Sequence, residues 1–141
     1  MKLQNIEINY AFAILLKYGI KPTKQRLLIV KEVFSNSPKH FTAQDIYKKI
    51  IEKKKKVALS SVYNTLRKLI NAGGLQEIYI QSNKSFFDTI TEPHFHFYDK
   101  SLDYLEDIPV ESVEFSNFPE LPKGKKLGQI RLVINIENHS K

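Results

Sequence analysis

The apolar positions change period once along the chain. Through the first half they recur at helical spacing, and afterwards they alternate as in strands. "IEINYAFAILLKYG" (Ile6 to Gly19) is densely apolar and ends at a glycine suited to the position after a helix. In "IKPTKQRLLIVKEVFSNSP", Pro22 interrupts, Thr23 can cap, and Leu27, Val30 and Phe34 share a helical face. "SNSPKHF" is a turn-rich connection. "TAQDIYKKIIEKKKK" opens on Thr42, with Asp45 three positions on as in a capping box. Its Ala43, Ile46, Tyr47, Ile50 and Ile51 form one apolar stripe. In "LSSVYNTLRKLINAGG", Ser60 can cap, and Gly73 and Gly74 end the helix.

The period then switches. "LQEIYIQSNKSFFDTI" predicts two short strands around Ser82-Asn83-Lys84, a hairpin. "HFHFYD" alternates, "DYLEDIPV" holds another short apolar run, and "SNFPELPKGKKLG" is a polar loop. "QIRLVINIEN" predicts a closing strand, with Ile130, Leu132, Ile134 and Ile136 on one face. The expected fold is α+β: a winged helix-turn-helix domain over residues 1–88, then a small α/β domain over 89–141. So small a sheet buries little alone, so the second domain is expected to make a homodimer.

Charge sharpens this division. Residues 1–90 hold 16 Lys/Arg against 6 Asp/Glu, and residues 91–141 hold 6 against 9, within a total of +7. A basic half facing a polyanion and an acidic half with another task is the expectation. No stretch is long and apolar enough to span a membrane, and the N-terminus lacks the pattern of a signal peptide, so a cytoplasmic protein is expected. With no cysteine, disulfides, thiolate chemistry and cysteine-ligated zinc are excluded. There is no nucleophile elbow, phosphate loop or spaced general base, so an enzyme is not expected.

Two sets of residues carry candidate chemistry. On the fourth helix, Ser60, Tyr63, Asn64, Arg67 and Asn71 fall opposite the apolar side formed by Val62, Thr65, Leu66 and Leu69. A recognition helix needs such a face: a ring and hydroxyl from Tyr63, an amide for adenine from Asn64, a guanidinium from Arg67. Lys21, Lys24 and Arg26 stand where backbone contacts are expected, and Lys84 at the hairpin. With Ser61 beside Ser60, these are the candidate contacts to double-stranded DNA. Any amphipathic helix also turns polar residues outward, so the arc gains weight only beside the charge asymmetry and the wing. In the second half, His94 and His96 point the same way with Tyr98, while Phe95 and Phe97 point oppositely into a core. The imidazoles can share one ion, or they can be exposed decoration. His139, near the end, reads as decoration.

Three segments, "GIKPTKQRLLIVKEVF", "HFTAQDIYKKI" and "LSSVYNTLRKLINAGGL", resemble the Fur family of metal-responsive transcription regulators. The pattern "FFDTITEPHFHFYDKSLDYLEDIPVE…QIRLVINI" and Asn64 after Tyr63 are similar to its Irr branch, the iron response regulators. The resemblance implies dimers on A·T-rich inverted repeats, base contact by Tyr63 and minor-groove contact by Lys21. It also implies an interdomain site formed by His40, Asp88, His94, His96 and Asp107, with Glu106 the neighbouring candidate. That site would take haem or a divalent metal (Fe, Mn or Zn), haem through His94 or His96 being the Irr-like choice. The family's paired-cysteine zinc site is absent, its first pair falling at Asp99 and Leu102, and Gln129 stands where a further histidine is common. The implied function is a regulator of iron or haem homeostasis. The alternative is a constitutive or architectural DNA-binding protein that uses no ligand.

Overall fold

A computed structural model describes residues 2–36 and 39–140, with the side chains of residues 2–6 and 36 outside the description. The chain divides into two compact units, Met1–Thr91 and Glu92–Lys141.

The first unit begins with helices α1 (Lys2–Lys17) and α2 (Lys24–Lys31), and α2 runs into a π-helical turn at Glu32–Asn36. Thr23 caps α2, its hydroxyl accepting from the Arg26 N–H at 3.2 Å. The buried side of α2 is wider than the stripe read from sequence. Ile29, Val30 and Val33 are buried, whereas Leu27 and Phe34 are half-buried. The reason is tertiary: α2 packs against α1, α3 and α4 together. Helix α3 (Ala43–Glu52) starts with the expected capping box between Thr42 and Asp45, at 3.1 and 2.9 Å. Its Ala43, Ile46 and Ile50 are buried, while Ile51 of the expected stripe is exposed.

Helix α4 (Leu59–Asn71) starts one residue before Ser60. Ala58 is its N-cap, without a side-chain cap bond, so Ser60 lies in the first turn and does not cap. The Ala58 N–H instead donates to the Gln25 side chain at 3.1 Å, a bond that ties α4 to α2. Thr65 is buried, and its hydroxyl donates to the Ser61 carbonyl at 2.8 Å. The double glycine has two jobs. Gly73 takes φ +84°, which favours glycine. A Cβ on Gly74 would lie 2.9 Å from the Tyr18 ring, which would have to shift to admit it.

Beyond it, β2 (Gln76–Gln81) and β3 (Lys84–Asp88) form the hairpin, with Asn83 at φ +62° in the turn. A third strand joins them. Residues His40–Phe41 (β1) pair antiparallel with β3, giving the order β1-β3-β2. The sequence showed only a turn-rich connection there, part of which, Ser37 and Pro38, lies outside the described residues. A two-residue strand has no periodicity to detect; its pairing with β3 makes it one.

The second unit is a three-stranded sheet in the order β5-β4-β6. Strands β4 (Phe95–Asp99) and β5 (Tyr104–Ile108) are antiparallel, and β6 (Val133–Ile136) lies parallel to β4. The closing strand is shorter than "QIRLVINIEN" predicted: Ile130 and Leu132 precede it, and Ile134 is exposed. Phe95 is buried and meets the Phe115 ring edge-on at 6.1 Å, whereas Phe97 is only half-buried. Among the described residues, no helix is long and apolar enough to cross a membrane.

Candidate functional site

The outward face of α4 is built as its sequence implied. Val62, Thr65, Leu66 and Leu69 are buried, which turns Tyr63, Asn64 and Arg67 to solvent; Tyr63 is 47 % exposed. Arg26, Ser60, Ser61 and Asn64 line one cavity of about 380 Å³, where the start of α2 meets the start of α4. Tyr63, Arg67 and Lys84 line a second, of about 580 Å³, between α4 and the hairpin. Lys21 and Lys24 are exposed, and Lys24 opens onto a different cavity from Arg26.

Two of these cations are already engaged. The Arg26 guanidinium donates to the Lys21 carbonyl at 2.8 Å, so it braces the turn into α2. Arg67 pairs with Glu77 of β2 at 3.0 Å and bridges α4 to the wing. Lys84 is the first residue of β3 rather than the turn tip, and its ammonium lies 5.6 Å from the Phe86 ring centroid. The ring supports the stem while the charge stays near the surface.

Two of the candidate ligands belong to the first unit and three to the second. In the first unit, sheet register sets His40 opposite Asp88. The His40 Nε2 is 3.3 Å from Asp88 Oδ2, with side chains 10 % and 0 % exposed. The other carboxylate oxygen, Oδ1, accepts the Ile90 N–H at 2.8 Å, which holds the carboxylate in place.

In the second unit, register sets Asp107 opposite His96, while Glu106 faces Phe97 and is exposed. Residues opposite one another in an antiparallel pair project from the same face. The Nε2 atoms of His94 and His96 each lie 3.4 Å from one and the same oxygen, Asp107 Oδ1. Their rings are 4.5 Å apart. The His94 Nδ1 lies 2.7 Å from the Glu92 carbonyl, which can only accept. Nδ1 therefore carries a proton, and Nε2 is the ring atom turned toward Asp107. A cation placed among the three groups would meet all of them. Two imidazole nitrogens and a carboxylate oxygen are a donor set suited to a first-row divalent ion. His40 and Asp88 offer one further nitrogen and one further oxygen. Neither set alone fills a coordination shell.

The sequence profile of the ferric uptake regulator family matches residues 17–134. The chain belongs to that family. It is 36 % identical over 90 residues to the peroxide operon regulator of Bacillus subtilis (strain 168), a match covering 64 % of this chain and 61 % of that protein. To the peroxide-responsive repressor PerR of Staphylococcus epidermidis it is 26 % identical over 133 residues, covering 94 % of this chain and 83 % of that one. Among solved structures it is similar to the ferric uptake regulator from Pseudomonas aeruginosa with manganese. The TM-score is 0.68 at 20 % identity, over 92 % of this chain and 98 % of that one. That likeness confirms the α+β fold.

Within this Fur-family fold, sequence reasoning missed two residues that shape the α4 face. Gln25, bonded to Ala58, lies 33 positions from its partner, and no local pattern announces such a bond. Glu77 was read only as a strand residue. An acid on the strand just after a helix that carries an outward arginine was the signal available.

Proposed function

We propose that this Fur-family protein is a dimeric, sequence-specific DNA-binding transcription regulator whose grip on DNA follows a divalent metal. His40, Asp88, His94, His96 and Asp107 would hold the metal jointly, its positive charge balanced by the two carboxylates. The observation that carries the reading is the convergence of two histidine nitrogens on a single Asp107 oxygen at 3.4 Å. Ligands drawn from both units would couple them, so that occupancy biases their relative angle and thus the spacing of two α4 faces in a dimer. DNA contact would fall to Tyr63 and Asn64 for bases, and to Lys21, Lys24, Arg26, Ser60, Ser61 and Lys84 for the backbone. A·T-rich inverted repeats are the proposed targets. Arg67 serves first to fix the wing through Glu77.

The Irr-like segment brings in haem as the competing effector. Burial favours the small ion: the His96 side chain is 3 % exposed and that of His94 11 %, which leaves little approach for a porphyrin. The test measures affinity for an inverted-repeat duplex with Mn²⁺, Fe²⁺, haem or no addition, on the wild type and on His94→Ala/His96→Ala. Metal should change affinity by roughly 5–150-fold in the wild type, the usual span of allosteric coupling. It should change nothing in the variant. A Soret band abolished by the same substitutions, with no metal response, would transfer the role to haem. Equal affinity for a scrambled duplex would remove the regulator reading altogether.

A further inference from the structure

The first unit holds a cavity of about 800 Å³ that the proposed DNA and metal roles do not use, apart from Lys24 at its edge. Its walls come from α1, α2 and the turn between α3 and α4. Five lysines line it: Lys24, Lys31, Lys54, Lys55 and Lys56. Lys31 is offset by Glu7 at 3.1 Å, whereas Lys24, Lys54, Lys55 and Lys56 make no ion pair among the described residues. Among the described residues no acid lines the cavity, although Glu7 reaches Lys31 from beside it. The rest of the lining is mainly apolar: Ile8, Leu27, Leu28, Val57 and Ala58, with Gln25. Ile8 is 42 % exposed, and Leu27, Leu28 and Val57 are half-buried.

The lysine-bearing turn is held in shape. The Lys54 N–H donates to the Ile51 carbonyl at 2.9 Å and the Lys55 N–H to the Ile50 carbonyl at 3.2 Å. Downstream, Ala58 is tied to Gln25, itself a lining residue. Among the described residues, those with positive φ other than glycine are Lys54, Asn83, Asp103 and Asn117. Asn and Asp tolerate that region through their short polar side chains; a lysine there carries strain that a glycine would not. Among the described non-glycine residues at positive φ, Lys54 alone has a long side chain, and it lines the cavity.

We infer that this cavity binds an amphipathic organic anion, with an acidic head on the lysines and an apolar body against Ile8, Leu27, Leu28 and Val57. Its volume lies in the range of small-molecule sites. DNA phosphates would use the lysines but leave the apolar wall unmatched, and a neutral apolar molecule would leave the lysines unmatched. An occupied cavity also places an anion beside Lys24, so binding would weaken DNA contact at that edge.

The experiment needs neither DNA nor metal, so its result is independent of the proposed function. Full-length protein is titrated with anilinonaphthalene sulfonate, followed by fluorescence, with decanoate and inorganic phosphate as competitors. Saturable binding at one site, displaced by decanoate but not by phosphate, is expected. Lys55→Glu/Lys56→Glu should weaken it about tenfold, in keeping with the loss of charge-assisted contacts. Ile8→Ser should weaken it as well, and all these side chains are exposed enough for the fold to survive. Lys54→Gly separates function from structure, since it should raise the melting temperature while lowering probe affinity. Affinity unchanged in both the double variant and Ile8→Ser would overturn the inference. Displacement by phosphate as effective as by decanoate would reduce the cavity to a plain anion patch and overturn it too.

Discussion

The two units differ in how completely they bury themselves. The first holds a continuous core reaching from Ala11 in α1 to Phe87 in β3, with Phe41, Ile46, Leu66 and Leu69 at or near zero exposure. In the second, the buried hydrophobics are Phe95, Tyr98, Leu105 and Ile108, while Leu102, Tyr104, Phe115, Phe118 and Leu127 are exposed. Helices stacked on three sides close a core within one chain; three short strands cannot. The first unit closes its core within one chain, whereas the second leaves apolar surface open that the proposed dimer would cover.

Core truncation tests that contrast most severely. Leu66→Ala should cost about 2–5 kcal/mol in urea unfolding, because the site is fully enclosed and cannot collapse. Leu105→Ala removes the same group from the second unit, and its unfolding midpoint should rise with protein concentration, since a dimer would complete that core. A midpoint independent of concentration would mean that the small sheet stands unaided.

Next in size come changes at the ligands. Asp107→Asn keeps the shape but removes the anion that both imidazoles face. It should lower Mn²⁺ affinity at least tenfold by calorimetry, whereas Glu106→Gln should leave it unchanged. Similar losses from both would make register irrelevant and point to diffuse ion attraction. At the α4 face, Asn64→Ala should cost about 1–3 kcal/mol on the preferred duplex and almost nothing on a scrambled one. Lys21→Ala should instead weaken both alike and reduce the salt slope by about one unit. The smallest effect is expected at the Arg67–Glu77 pair, which is partly exposed. Glu77→Gln should change stability by less than about 1 kcal/mol, a value a double-mutant cycle with Arg67→Ala can measure.

The helices of the first unit were legible because each carries its own signal. Thr42 and Asp45 make a local capping box, and the buried side of α4 repeats at helical spacing. Tyr63, Asn64 and Arg67 were found as the outward face by the same arithmetic, since a helix that buries one side must expose the other. The ligand candidates were only half visible. His94 and His96 are neighbours by strand alternation, but nothing local distinguishes Asp107 from Glu106.

What the sequence determined by itself was whatever depends on residues a few positions apart: the helices and caps, the wing, the charge divide and the absence of thiol chemistry. Tertiary structure decided what depends on register and distant packing. It made His40–Phe41 a strand, set Asp107 opposite His96, joined Gln25 to Ala58 and drew lysines from α2 and the α3–α4 turn around one cavity. Local periodicity tells a chain which side to bury, but which residues then meet is settled only when separate elements compete for the same apolar surface.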